Sequence, residues 1–382
     1  MKSSFFFLFL IGTFVLPLSS FAQNPNEAFL PGEQQELFGE EVAEPVQQFE
    51  SEEVEAKIIE IVSLTEIEGV DHAIFRAESK SGEEFLVNTR ESFTEGLRYK
   101  LKEGDVVYLQ VLRNLEDNSV AAAFLSDVRR GPALALIFVI FAVTILLVGW
   151  FRGLSSLVGL LVTLGVLFLF ILPQILHGSD PILVTVIGSI VILGVNMHLS
   201  HGFSRSTFFA FLSTVVGLLL VCVFAKLFSG FANLSGLANE EAVLLYFNNP
   251  DVIFPQGILL AGIILGAVGV LDDVAITQSE AVHELSEAND SLSRKELFTR
   301  AMRIGRHHIA STVNTLVLAY AGVALPLLLI FLSASEVSFL RFLNEEPVAE
   351  EIVRTFAGTL ALVLTVPLAT LFAAFSLKRA KK

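Results

Sequence analysis

Beyond Arg129-Arg130 the chain carries seven long apolar runs, and nothing constrains its folding more. The runs cover 132–150, 157–176, 182–197, 207–228, 253–276, 309–332 and 352–377. A helix needs about 20 apolar residues to cross the hydrocarbon layer, so each run reads as a transmembrane helix and the lipid bilayer is the first partner. The third run is short, and Pro173 and Pro255 sit near the ends of the second and fifth. The order of the runs is therefore firmer than their edges. Of 382 residues, 53% are apolar and only 17% charged, which excludes a purely soluble protein.

Charge divides the chain. Residues 23–130 hold 24 Asp/Glu against 10 Lys/Arg, whereas 131–382 hold 16 against 14. So acidic a soluble part is a poor match for phosphate backbones, and nucleic acid is excluded as a partner. The lone cysteine, Cys222, lies in an apolar run, which removes disulfide scaffolds and cysteine metal sites.

At the start, Lys2, an apolar stretch from Phe5 to Leu18 and Ser20-Phe21-Ala22 have the form of a secretory signal over 1–22, with an uncleaved anchor as the alternative. Residues 23–53, rich in Glu and interrupted by Pro25, Pro31 and Pro45, read as a flexible acidic leader. From 54 to 128 five β-rich runs (54–64, 72–78, 85–89, 106–113 and 119–125), separated by turn signals such as Lys80-Ser81-Gly82, predict a small extracytoplasmic β-barrel of OB-like topology. The expected architecture is thus this β domain, a transmembrane helical domain over 131–377 and a basic tail at 378–382. Lys and Arg concentrate in loops on one side of the spans (Arg152, Arg205, Arg294, Lys295, Arg300, Arg303, Arg306 and the tail), which puts the β domain outside and the C-terminus in the cytoplasm.

An ionised acid near the centre of a membrane helix costs about 2.5–3.5 kcal/mol on insertion scales, so Asp272 and Asp273 in the fifth run need explaining. Gly262, Gly266, Gly269 and Asp273 share one helical stripe, which predicts close helix packing there and Asp273 pointing into packed protein. Asp272 falls on a different face. In the sixth run Ser311, Asn314 and Thr315 reach a similar depth and are expected to donate hydrogen bonds to a carboxylate, while Gly322 with Pro326 marks a kink or a packing adjustment. Three uses of this cluster remain open: hydrated interfacial caps, a proton or ion relay, or a metal site drawing on Asp272, Asp273, Glu280 and the weak candidates His283, His307 and His308. No nucleotide-binding, H-E-x-x-H or G-x-S-x-G motif occurs, no catalytic residue is assigned, and no cofactor is implied.

The segments Gly269-Val270-Leu271-Asp272-Asp273-Val274-Ala275-Ile276-Thr277-Gln278, Gly305 to Tyr320 and Leu325-Pro326-Leu327-Leu328-Leu329 resemble the YibE/F-like family of bacterial multi-pass membrane proteins. Gly149–Gly153 and Leu172–Pro181 are similar to its earlier segments, and the resemblance extends over about 54–377. It implies a bacterial inner membrane protein with an extracytoplasmic N-terminal domain, and it supplies no biochemical activity. The acid-bearing helix followed by a Ser/Thr/Asn helix is more loosely similar to proton-linked permeases of the resistance-nodulation-division and Sec accessory type, without their doubled repeat. The expected function is a secondary transporter or permease of a small solute or ion, with proton coupling through the Asp pair as one form of it. Its alternatives are a scaffold or accessory subunit whose β domain recruits an extracytoplasmic protein partner, and a membrane-embedded metal-dependent enzyme.

Overall fold

The computed structural model describes residues 49–67, 70–90, 101–115, 117–333 and 338–377. The signal segment, most of the leader and the basic tail lie outside the described residues. Two compact units, 1–132 and 133–382, are each described by themselves.

The first unit is a curled antiparallel sheet of β1 (Phe49–Ile67), β2 (Val70–Ser79), β3 (Glu84–Asn88), β4 (Val106–Asn114) and β5 (Val120–Val128), in the order β3-β2-β1-β4-β5. Alternation builds its core: Ala73, Phe75 and Ala77 of β2, Phe85 and Val87 of β3, and Val107, Leu109 and Val111 of β4 all turn to one buried face. Strand β1 serves two neighbours. Its first half pairs with β4 and its second with β2, and register shifts at Ile58/Glu60 and Ile61/Ser63 supply the bend between them. The five expected strands are all present, but the closed barrel is corrected to a half-barrel, because among the described residues no ladder joins β3 to β5. Strand β1 also begins at Phe49 rather than Val54. Glu50, Glu52 and Glu53 lie on exposed positions of a paired strand, and Arg113 holds Glu52 at 3.1 Å.

The second unit is helical. It comprises α1 (Gly131–Val166), a wider π-type turn (Leu167–Ile171), α2 (Leu172–Leu176), α3 (Pro181–His201), α4 (Arg205–Phe231), α5 (Glu240–Asn248), α6 (Pro255–Ala288), α7 (Arg294–Val323), α8 (Leu325–Ser333), α9 (Phe339–Leu343) and α10 (Glu346–Ser376). Caps follow the sequence. The Asp180 carboxylate accepts from the Leu183 N–H at 2.8 Å ahead of Pro181, the Ser204 hydroxyl accepts from the Thr207 N–H at 3.0 Å, and Ser293 with Glu296 forms a capping box.

Five helical segments are long and apolar enough to cross a membrane, or six when α7 and α8, bent by 63°, count as one broken span. All seven expected apolar runs correspond to parts of these helices, but they form five to six candidate spans, and the difference lies at two places. Runs one and two fall within α1 and its continuation to Leu176, interrupted at Trp150, whose φ of 50° and ψ of −130° are not helical. Run six is split at Ala324, since Pro326 has no N–H to offer the Gly322 carbonyl one turn back. At the first place a side chain on Gly153 would overlap the Ile145 carbonyl. Eight residues along a straight helix lie about 12 Å apart, so the chain turns back sharply there.

Contacts set the direction of each helix in the bundle. Ser206 of α4 meets Ser279 of α6 at 2.9 Å, and a Cβ on Gly217 would lie 3.2 Å from Leu271, so α4 and α6 are antiparallel. Gln278 of α6 donates to the Ala301 carbonyl of α7 at 2.9 Å, and a Cβ on Gly266 would lie 3.3 Å from the Tyr320 hydroxyl, so α6 and α7 are antiparallel too. Gly262 faces Arg354 and Gly358 faces Ala267, which makes α10 parallel to α6, while Gly257 against Pro181 and the cluster joining Met197 to Ala275 make α3 parallel as well. Directions alternate along the chain.

Candidate functional site

The buried face of α6 is set by its bulky residues. Ile263, Ile264, Ala267, Val268, Leu271 and Val274 fill the core with Leu218 and Val221 of α4 and Ala357, Ala361, Leu362 and Val366 of α10. That choice rotates the glycine stripe to the flank. Gly266, Gly269 and Asp273 are exposed on the chain, a Cβ on Gly269 would meet nothing within 4 Å, and Gly262 and Gly266 face only the ends of Arg354 and Tyr320. Gly322 also has open space around it. Of the two acids it is therefore Asp272, not Asp273, that turns toward protein: it is half-buried, and its Oδ1 is shielded with no hydrogen-bond partner among the described residues.

The α6–α7 contacts also fix depth. With Gln278 opposite Ala301 and Gly266 opposite Tyr320, Asp273 is level with about Ser311 and Gly269 with about Thr315. The two groups are thus at a similar level along the bundle, but the side chains do not join. Ser311, Asn314 and Thr315 lie on an exposed face of α7, Thr315 donates to the Ser311 carbonyl at 3.1 Å, and among the described residues no hydrogen bond runs from them to either acid. The result is two separate exposed polar stretches at a similar level along the bundle, Asp273 with the open glycines on α6 and Ser311, Asn314 and Thr315 on α7.

The histidines are dispersed. His283 is exposed and 3.3 Å from Glu287, His201 is 3.6 Å from Glu280, His307 is exposed, and His308 keeps a shielded Nε2 without a partner among the described residues. Among the described residues no three His, Cys, Asp or Glu side chains are grouped so as to hold a metal.

A second polar group was not singled out from the sequence. At the opposite end of the bundle, Glu350 is buried with a shielded Oε1 that has no partner among the described residues, Glu351 holds Arg354 at 3.3 Å, and Glu346 accepts from the Ser235 and Gly236 N–H groups. These acids read as loop charges because they precede the seventh apolar run. The available signal was Glu345 followed by Pro347, a helix-start pattern that carries Glu350 and Glu351 inside α10.

In the β unit, Arg113 bridges Glu83 at 2.6 Å and Glu52 at 3.1 Å, and these contacts hold the guanidinium further into its charged form. The hydrogen bond from Arg113 holds Glu83 below the usual carboxylate range, and that from Lys80, followed by the charge of Arg129, does the same for Glu55.

A bundle with five to six candidate spans defines a polytopic membrane protein. The sequence profile of the YibE/F-like protein family matches residues 137–379, well over half of the chain, and the chain belongs to that family. The match covers the helical unit and leaves the β unit outside it. No match is found among curated proteins or among solved structures.

Proposed function

We propose that this protein is a secondary permease of the bacterial inner membrane, with Asp272 as its exchanging group. The observation that carries it is the shielded, unpartnered Oδ1 of Asp272, set beside Asp273 and level with the polar face of Ser311, Asn314 and Thr315. Polar groups at this depth are costly against hydrocarbon, so the face is assigned to a hydrated path along which solute or ion passes and protons exchange. Seven crossings follow if the reversal at Trp150 separates two spans and the bent α7–α8 pair is one. The end of the bundle where α7 begins carries Arg294, Lys295, Arg300, Arg303 and Arg306, which supports a cytoplasmic placement and an extracytoplasmic β unit.

The test is solute and proton flux in proteoliposomes of the purified chain. Asp272→Asn is expected to abolish flux and Asp273→Asn to reduce it; flux unaltered by Asp272→Asn removes the assignment. A scaffold role has one observation in its favour, an open groove of about 720 Å³ on the β unit lined by Glu50, Ser51, Glu52, Glu83, Arg113 and Asn118. Absence of any flux, with a basic extracytoplasmic protein captured through that groove, would transfer the function to it.

A further inference from the structure

Three arginines of α7 share one exposed face of the helix. In its first turns Leu297, Ala301 and Gly305 form the buried side, docked against Gln278 of α6. At about 100° per residue Arg303 lies almost opposite that side, with Arg300 and Arg306 about one turn to either end of it, and all three are exposed. Among the described residues no carboxylate comes within 4.0 Å of them. The acids of the same hairpin are placed elsewhere. Glu296 closes the capping box with Ser293, Glu280 faces His201, Glu287 faces His283, and exposed Glu284 stands on α6, across the buried side of α7. Arg294 is also outside the face, because it stacks on the Phe375 ring at 5.0 Å.

Contacts between helices set the level of this face. Gln278 donates to the Ala301 carbonyl at 2.9 Å, and its carboxamide would lie 2.9 Å from a Cβ on Gly305, so it is level with Arg303. One residue on, Ser279 meets Ser206 in the first turn of α4, and Glu280 meets His201 at the end of α3. Arg303 is therefore level with the rim where two candidate spans end and begin. From Arg300 to Arg306 the helix rises about 9 Å, while the headgroup layer of one leaflet is about 5–7 Å thick and long arginine side chains reach along the surface into it. Inward from Arg306, exposed Ala310, half-buried Val313 and exposed Val317 follow at spacings of four, three and four. This apolar strip lies to one side of Ser311 and Thr315. Cations above an apolar strip match the two parts of a phospholipid; a free anion would use only the first, and an acidic soluble protein would leave the second bare.

We propose that Arg300, Arg303 and Arg306 bind the phosphate-bearing headgroup of an anionic phospholipid whose acyl chain lies along Ala310, Val313 and Val317. Guanidinium groups hold phosphate oxygens through paired, charge-assisted hydrogen bonds, and each basic side chain near an anionic membrane surface strengthens attachment about fivefold. Three positive charges with no carboxylate beside them select a lipid of net negative charge over a zwitterionic one. The surface gives the proposed permease a lipid partner; it rests on the inner-membrane placement in that reading and on none of its transport groups.

Purified full-length protein in a neutral detergent would be melted with phosphatidylglycerol, with phosphatidylcholine of the same chains and with inorganic phosphate, and bound lipid would be counted by native mass spectrometry. Phosphatidylglycerol is expected to raise Tm saturably and the other two to leave it in place. Its affinity should fall about fivefold in each of Arg300→Gln, Arg303→Gln and Arg306→Gln, and about 100-fold in the triple variant. Lys226→Gln, exposed on α4 near the opposite end of the bundle, is expected to bind like the parent. If the triple variant fails to fold, the three single variants carry the comparison. Equal melting in the two lipids, an equal rise with inorganic phosphate alone, affinity unchanged in every arginine variant, or a loss in Lys226→Gln as large as in a single arginine variant overturns the site. Asp272→Asn is expected to keep the lipid effect while losing flux, so failure of the permease assignment and failure of this one give different results.

Discussion

At single positions the bundle distinguishes glycines that hold helices together from those that do not. A Cβ on Gly217 would overlap the Thr365 hydroxyl, and one on Gly305 would come within 2.7 Å of Val366 and 2.9 Å of Gln278, whereas Gly269 has nothing within reach. Gly217→Ala and Gly305→Ala are therefore expected to destabilise by about 1–3 kcal/mol, and Gly269→Ala to stabilise by about 0.5–1 kcal/mol through helix propensity, as read by thermal melting in detergent. The stripe pattern of the sequence selected Gly262, Gly266 and Gly269 and passed over Gly217 and Gly305, because periodicity locates a face but not the bulk of what lies opposite. The same limit explains why the roles of Asp272 and Asp273 exchange: which face of α6 is buried depends on Leu271, Val274 and Gln278 finding partners on α4, α7 and α10. In the β unit a second prediction follows from Arg113. Glu83 and Glu55 have folded pKa values held below 4.5, so their contribution to stability is complete above that pH and is lost as pH falls through the lowered values. Melting of the intact protein, followed by the sheet band in infrared absorption, should show the β unit weakening on acidification below about pH 4.5. Arg113→Met should melt lower at pH 7 and show a flatter acid limb.

Elements were legible where composition dictates them and illegible where a break depends on one residue. All five strands and every apolar run have their counterparts, since alternation and length are local properties. The half-barrel was not legible, because the bend of β1 at its two register shifts comes from sharing one strand between β2 and β4. Trp150 is a different case. A non-glycine residue at φ 50° stores roughly 1–3 kcal/mol, here at the point where Gly153 closes on Ile145. Trp150→Gly is expected to raise the melting temperature by relieving the backbone, and Gly153→Val to lower it by prying the two arms apart. A Gly153→Val protein as stable as the parent would mean that the close approach contributes nothing. At Ala324, Pro326→Ala restores a donor for the Gly322 carbonyl, so the distance between spin labels at Leu316 and Leu332 should lengthen as the 63° bend opens.

For the molecule as a whole, the alternation of α3, α4, α6, α7 and α10 means that each loop between them changes sides, and the open question is how many times the chain crosses before α3. A single continuous span from Gly131 to Leu176 would put the β unit and the turn at His177-Gly178-Ser179 on opposite faces of the membrane. Two spans joined at Trp150 put them on the same face. The segment is 46 residues long, more than twice what one crossing requires, and the sharp return between Ile145 and Gly153 gives that excess a place to go. Single cysteines at Ser81 and Ser179, in a chain whose Cys222 has been replaced by Ala, would report the answer through a membrane-impermeant maleimide applied to intact spheroplasts. Ser81, in the β2–β3 turn, is exposed, and Ser179, just before the α3 cap, is partly exposed. Equal labelling at the two positions from outside, with cysteine at Asn289 protected until the membrane is opened, is the outcome expected for seven crossings with the basic end of α7 in the cytoplasm. Labelling of Ser81 but not Ser179 would make α1 and its continuation one long tilted span, reverse the bundle and move Asp272 to the outer half of the bilayer.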